Sequence, residues 1–141
     1  MKPLLGTSAK PSGVQIWLLF LRIGVAGLML THGVPKLTKI LNGNFEFADP
    51  IGIGTAPSLV LSMLAEFGGS LLLLIGFQTR LAALLLIINM LVVIFFAHSA
   101  DPFFKREMPI LYLLIYGTLF FLGAGKYSVD GRGNNNRLTR Y

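Results

Sequence analysis

The sequence SMLAEFGGSLLLLIG, residues 62–76, decides the fold, because it is apolar over nearly its whole length and yet carries a carboxylate, Glu66. The rest of the chain has the same character. Of its 141 residues, 54% are hydrophobic and only 13% are charged, with a mean hydropathy of +0.71. A soluble domain usually carries about 25% charged residues. The composition therefore predicts an integral membrane protein.

Four apolar windows are long enough to cross about 30 Å of hydrocarbon. They cover about residues 14–36, 57–77, 80–98 and 108–123. The first window is too long for the apolar region of a signal peptide and no A-x-A site follows it, so we expect a retained span. The sequence thus predicts an all-α fold, a four-transmembrane-helix bundle forming a single domain over residues 1–130. The polar residues 131–141 have little to bury and are expected to form a flexible C-terminal tail.

Basic residues flank the predicted spans, and they explain the net charge of +6 better than nucleic-acid binding does. With four spans, both termini and the turn between the second and third spans lie on one side. That side carries more Lys and Arg, namely Lys2, Lys10, Arg80, Lys126, Arg132, Arg137 and Arg140, against Lys36, Lys39, Lys105 and Arg106 on the other. The positive-inside rule therefore predicts cytoplasmic N and C termini.

The chain contains no cysteine. This excludes disulfide exchange, thiolate catalysis, cysteine-bound iron–sulfur clusters and covalent C-x-x-C-H haem attachment for this chain alone.

Three polar residues are predicted near the middle of the membrane. At about 1.5 Å of rise per residue, Arg22 lies about 12 Å from the cytoplasmic start of its span and Glu66 about 14 Å from the opposite face. Asn89 falls at about the same level. We therefore expect Glu66 to pair with Arg22, with Asn89 completing its hydrogen bonds, since an unpaired charge at this depth is costly.

Two interpretations of this pair stay open. The pair can be a structural clamp between the first two spans. Alternatively Glu66 is a working group of the site that exchanges protons with a ligand.

A second polar layer is predicted at the outer face. Arg22, His32 and Lys36 share one stripe of the first span, so His32 lies above Arg22. His98 closes the third span at a similar depth and Glu107 opens the fourth. Imidazole and carboxylate groups exchange protons, bond quinone carbonyls or bind metals. They are also common at solvated helix ends.

Other interpretations of the polar and aromatic residues are weaker. No H-x-x-x-H spacing supports a metal site, and non-covalent haem between His32 and His98 rests on depth alone. Tyr112 and Tyr116 share a face of the fourth span, where they line a pocket or simply pack in the core. Phe45 and Phe47, in the one sizeable outer loop, are expected at the headgroup level or folded over the bundle.

Several fragments together resemble the DoxX family of small bacterial four-helix membrane proteins. They are LRIG (21–24), HGVPK (32–36), AEFGGSLLLLIGFQTR (65–80), His98, Glu107 and GAGKYSVD (123–130). The resemblance covers about residues 20–130. It implies a multi-pass protein of the bacterial inner membrane, linked to respiratory or sulfur redox chemistry, since relatives include the membrane subunit of a thiosulfate:quinone oxidoreductase.

The resulting hypothesis is a membrane subunit of a quinone-dependent oxidoreductase. Glu66, His32 and His98 are the candidate catalytic residues. The candidate binding residues are Arg22, Lys36, Asn89, Glu107, Tyr112 and Tyr116. Quinone is the expected ligand, and because the chain has no evident electron carrier, a redox partner protein is expected as well. The alternatives are a non-catalytic anchor or assembly factor for redox enzymes and a small proton or solute carrier. Small-residue faces on the second and fourth spans also suit a homo-oligomer.

Overall fold

The computed structural model describes residues 11–138, all of whose regular structure is helical. Helix α1 is Ser12–Leu41, α2 is Thr55–Ile75, α3 is Thr79–Ala97, α4 is Phe103–Leu122 and α5 is Val129–Leu138. The all-α prediction is confirmed. Predictions that rest on Lys2, Lys10 and residues 139–141 lie outside the described residues, and the mobility of the tail stays a prediction.

The helix bounds follow the predicted windows, with differences at two ends. Helix α1 continues past Pro35 to Leu41, and α4 begins at Phe103, directly after Pro102, rather than at residue 108. Three helices, α1 to α3, are long and apolar enough to cross a membrane. Helix α4 has 20 residues, and its first turns carry Lys105, Arg106 and Glu107. Because of these charges its membrane crossing stays a prediction.

Helices α1, α2 and α3 each pack against the next helix in the chain, and α4 also contacts α1. Their shared core is apolar and includes Leu18, Val25, Met29, Leu73, Leu86 and Tyr116. Helices α2 and α3 are joined by a tight turn at residues 76–78, which we call the hairpin end. The loop of residues 42–54, between α1 and α2, marks the opposite end, which we call the long-loop end. Gly76 has φ of 68° at the turn, as expected for a helix-ending glycine.

The segment after α4 folds against the hairpin end. The carboxylate of Asp130 accepts hydrogen bonds from the backbone N–H groups of Gln78 and Thr79, both 2.9 Å long, and so caps the start of α3. The Asp130 N–H donates to the carbonyl of Gly76 at 2.9 Å. An added Cβ at Gly76 would lie 2.4 Å from Ser128 Cβ, so this close approach requires glycine. Residues 123–130 are therefore fixed to the hairpin end of the helices.

Candidate functional site

Glu66 lies at the centre of the candidate site, with only 3% of its surface exposed. Its Oε2 forms an ion pair with Lys36 Nζ from α1. Its Oε1 accepts a hydrogen bond of 2.9 Å from Asn89 Nδ2 on α3 and one of 3.3 Å from Ser62 Oγ, one turn earlier on α2. The carboxylate thus joins three helices, and its donors provide the compensation that a buried charge requires.

The predicted pairing of Glu66 with Arg22 is wrong, although the predicted contact with Asn89 is confirmed. Counting residues along a helix estimates only the level of a Cα atom, whereas side chains lean toward the N-terminus of their own helix. Since α1 and α2 run in opposite directions, Arg22 leans toward the hairpin end and Glu66 toward the long-loop end. Lys36 leans back toward Glu66, so these two side chains meet.

Arg22 instead binds the segment that follows α4. Its Nη1 donates to the carbonyl of Ala124 at 2.7 Å and its Nη2 to the carbonyl of Tyr127 at 2.8 Å. Only 2% of the Arg22 surface is exposed. Gln15 reinforces the same contact, because its Oε1 accepts a hydrogen bond of 2.9 Å from the N–H of Lys126. Arg22 and Gln15 thus tie residues 124–127 to α1 at the hairpin end, and the binding role of Arg22 stays a prediction.

Two short π-helical turns lie beside the candidate site. One spans Leu64–Gly68 within α2 and holds Glu66, and the other spans Val93–Ala97 at the end of α3. Such turns are rare and are frequent at functional sites. Gly33 permits the first turn to approach α1, because a Cβ there would lie 2.7 Å from the backbone nitrogen of Phe67.

A cavity of about 270 Å³ lies between α2, α3 and the 42–54 loop. Its walls are mostly apolar, and they include residues from both π-helical turns, Ala65, Val93 and Ala97. Its polar wall includes Ser62 and Asn89, the two residues that donate to Glu66 Oε1. An apolar cavity with a few placed polar groups is the usual form of a small-molecule site.

The 42–54 loop covers one side of this cavity and is anchored by Asp49. The Asp49 carboxylate accepts from the N–H groups of Ile53 at 2.9 Å and Gly54 at 3.0 Å, and from Ser58 Oγ at 3.2 Å. Phe47 lines the cavity, and its ring centroid lies 5.7 Å from Lys36 Nζ. Of the two interpretations of Phe47, the one in which it folds over the helices is confirmed.

An aromatic series runs beside the ion pair. The His32 and Tyr112 rings are 6.2 Å apart in an edge-to-face arrangement, and the Tyr112 and Tyr116 rings are stacked at 6.0 Å. His32 is exposed, whereas both tyrosines are buried. Among the described residues no partner bonds the Tyr116 hydroxyl. The predicted shared face of the tyrosines is confirmed, and it is packed in the core.

His98 has a different set of partners, at the loop between α3 and α4. Its Nδ1 donates to Asp101 Oδ2 at 2.6 Å, and Lys105 Nζ lies 3.6 Å from Asp101 Oδ1. The hydrogen bond from His98 and the charge of Lys105 hold the pKa of the Asp101 carboxyl below its usual value, against a smaller opposing effect of burial. Glu107 is exposed at the start of α4.

Over residues 11–138, no group of three or more His, Asp or Glu side chains is placed to hold a metal ion. His98 bonds Asp101, whereas His32 contacts Tyr112. These contacts do not bring the two imidazoles together with Glu107, contrary to the prediction from the sequence.

Sequence reasoning did not assign roles to Asp49, Asp101 or Asp130, nor a binding role to Ser62. A signal existed for Asp49, since the Asp-Pro dipeptide and the nearby glycines in DPIGIG are typical of a side-chain-capped turn. Ser62 stands four residues before Glu66, the spacing at which helical side chains meet. For Asp130, whose partners are 51 and 52 residues earlier in the chain, local pattern carries no such signal.

The sequence profile of the DoxX family matches residues 17–99, more than half of the chain. A Haemophilus influenzae protein, described as an uncharacterized protein, is 33% identical over 127 residues, which cover 82% of this chain and 90% of the relative. No solved structure matches the chain. The matched region includes Lys36, Ser62, Glu66 and Asn89, the four residues that form the polar contact. The chain belongs to the DoxX family.

Proposed function

We propose that the chain is a membrane subunit that binds a quinone from the lipid phase in the cavity beside Glu66. The observation that carries this proposal is the cavity itself, which has apolar walls on α2 and α3 and a polar wall at Ser62 and Asn89. At about 270 Å³ it is just below the usual range of about 300–1,000 Å³ for small-molecule sites. This size suits a single substituted ring, with its isoprenoid chain left in the lipid.

The helices that border the cavity support entry from the membrane. Leu61 on α2 and Leu85 and Ile88 on α3 line the cavity and are themselves 56%, 42% and 51% exposed. In a bilayer such apolar side chains face acyl chains. A lipid-soluble ring would therefore reach the polar wall without crossing water.

In the proposed membrane arrangement all four long helices cross the bilayer and both termini face the cytoplasm of a bacterial cell. After Glu107, α4 continues to Leu122 without another charged residue, and it packs along α3. Its charged first turns would then lie among headgroups at the long-loop end. Arg80, Lys126 and Arg132 are exposed near the hairpin end, which the positive-inside rule assigns to the cytoplasm.

The chemistry of the proposed site is proton transfer coupled to quinone reduction. A bound quinone would accept two electrons and two protons, and we propose that a redox partner protein supplies the electrons. Glu66 would exchange a proton with the ring through the Ser62 hydroxyl, while the Asn89 amide orients the carboxylate. His32, exposed at the edge of Tyr112, would connect this buried region with the long-loop end.

Neighbouring residues on α3 provide a matched test of quinone binding. Val92 lines the cavity, whereas Leu91 is 37% exposed and is absent from its walls. We expect the protein in nanodiscs to bind a short-chain benzoquinone, Val92→Phe to weaken this binding at least about tenfold by filling the cavity, and Leu91→Phe to leave it unchanged. Absence of binding by the unmodified protein, or equal binding by Val92→Phe, would overturn the proposal.

The Lys36–Glu66 pair also supports a second candidate, a non-catalytic anchor for redox enzymes, because the carboxylate is already satisfied within the protein. The variant Glu66→Gln distinguishes the two candidate functions. In the first, this variant folds but loses quinone-dependent turnover with its partner enzyme. In the second, it lowers the melting temperature in detergent and nothing else. A carrier is less well supported, because Arg22 and residues 124–127 close the hairpin end.

A further inference from the structure

The hydrogen bonds at the polar wall of the cavity determine which groups remain for a ligand. Ser62 Oγ donates its only hydrogen to Glu66 Oε1, and Asn89 Nδ2 donates one of its two hydrogens to the same oxygen. Ser62 is then left with its lone pairs, and Asn89 with its carbonyl oxygen and one N–H. Most of the unused polar capacity on this wall therefore accepts hydrogen bonds.

Lys36 does not change this balance. Its ammonium group is directed at Glu66 Oε2 and lies 5.7 Å from the Phe47 ring centroid, and Lys36 does not line the cavity. On the polar wall formed by Ser62 and Asn89, a carbonyl group that entered the cavity would find one side-chain donor not already used, the second N–H of Asn89. To obtain more, Ser62 or Asn89 would have to turn away from Glu66 and leave a buried carboxylate less well bonded, which is costly.

We infer that the cavity binds a ring bearing hydroxyl groups, a quinol, more tightly than the corresponding quinone. This inference rests on the proposed function, and it names the redox state that the site prefers. A quinol hydroxyl donates to Asn89 Oδ1 or to Ser62 Oγ while both residues keep their bonds to Glu66. A quinone carbonyl only accepts. The preference follows from matching donors with acceptors at a partly desolvated wall.

The test measures equilibrium binding to the full chain in nanodiscs, under anaerobic conditions, with three ligands that share one ring and one short tail. They are a benzoquinone, its quinol, and the dimethyl ether of the quinol, which has the quinol ring without a hydroxyl donor. We expect the quinol to bind about tenfold more tightly than the quinone or the ether, as one added hydrogen bond to a polar group would give.

Two variants assign this preference to the polar wall. Ser62→Ala removes an acceptor from the cavity and is expected to reduce the quinol preference by about threefold. Thr118→Ala is the matched control, because Thr118 is exposed and its Oγ1 donates at 3.0 Å to Leu114 in its own helix, away from the cavity. It is expected to leave the preference unchanged.

The outcomes distinguish the inference from the proposed function. If none of the three ligands binds, the proposed function fails. If the quinone or the ether binds as tightly as the quinol, the proposed function stands and the inference fails. If the preference is present but survives both Ser62→Ala and Asn89→Leu, it does not arise at this wall, and the inference is again overturned.

Discussion

Half-buried Lys36 on α1 and buried Glu66 on α2 form an ion pair at the point where α2 adopts its π-helical turn. Removing one member of such a pair leaves the other charge without its partner, whereas removing both costs much less. We expect Lys36→Met to lower the free energy of unfolding by about 3–5 kcal/mol. The double variant Lys36→Met/Glu66→Leu should recover a large part of that loss. Unfolding in mixed detergent micelles measures both.

Lys39 on the same helix is the control for this prediction. It donates to the carbonyl of Glu46 at 2.7 Å in an exposed position. Its replacement by methionine should cost no more than about 1 kcal/mol. A loss at Lys36→Met no larger than at Lys39→Met would contradict a stabilising role for the ion pair.

Arg22 is predicted to stabilise the hairpin end. In Arg22→Met the carbonyls of Ala124 and Tyr127 lose their charged donors in a buried setting, and we expect a loss of about 3 kcal/mol in unfolding free energy. Arg132 is exposed, and Arg132→Met should stay within about 0.5 kcal/mol. Limited proteolysis after residue 123 should accelerate in Arg22→Met alone. Equal protease resistance in both variants would speak against the role assigned to Arg22.

Two glycines on α1 are expected to respond in opposite ways to alanine. A Cβ at Gly33 would lie 2.7 Å from the backbone nitrogen of Phe67, so α1 must move away from α2, at a cost of about 1–3 kcal/mol. A Cβ at Gly27 meets nothing within 4 Å, so Gly27→Ala should stabilise the helix by about 0.5–1 kcal/mol. Thermal unfolding of the two variants checks this difference. The same sign of shift in both would show that the helices are not in contact at Gly33.

The loop between α3 and α4 is expected to loosen in acid. The pKa of Asp101 is lowered in the folded protein, chiefly by the hydrogen bond from His98. A carboxyl with a lowered pKa stabilises the fold above its unfolded pKa, near 3.9, and loses that contribution as the pH falls through its folded pKa. Hydrogen exchange at residues 98–102 should therefore increase below about pH 4.

Asp101→Asn is the control for the acid prediction. The amide cannot ionise, so exchange in this variant should be fast at every pH and should lose the step near pH 4. A step of the same size in the variant would assign the effect to another group.

The helices could be predicted from the sequence because each depends on local information. The length and apolarity of each window predicted the four long helices to within about five residues at each end. Helix α1 extends beyond its predicted end at residue 36. Pro35 does not end the helix, which continues through Thr38 and Lys39 to Leu41.

The site could be predicted only in part. The estimate of depth along the helices placed Glu66 and Asn89 at the same level, and the hydrogen bond between them is present. The same estimate of depth also placed Arg22 at the level of Glu66. It was misleading there, because counting residues estimates the level of a Cα atom but not the direction of a long side chain. The loop that covers the cavity could not be predicted in detail, since the position of Phe47 depends on the turn that Asp49 stabilises.

The link between Arg22 and Ala124 also bears on how the protein is made. Arg22 and Ala124 are 102 positions apart in the chain. At about 5–20 residues per second, a ribosome therefore adds Ala124 about 5–20 s after Arg22. During that interval a nascent first helix enters the bilayer with a guanidinium that has no carbonyl to bond. Chains truncated before residue 124 should therefore be recognised by membrane quality control as unfinished.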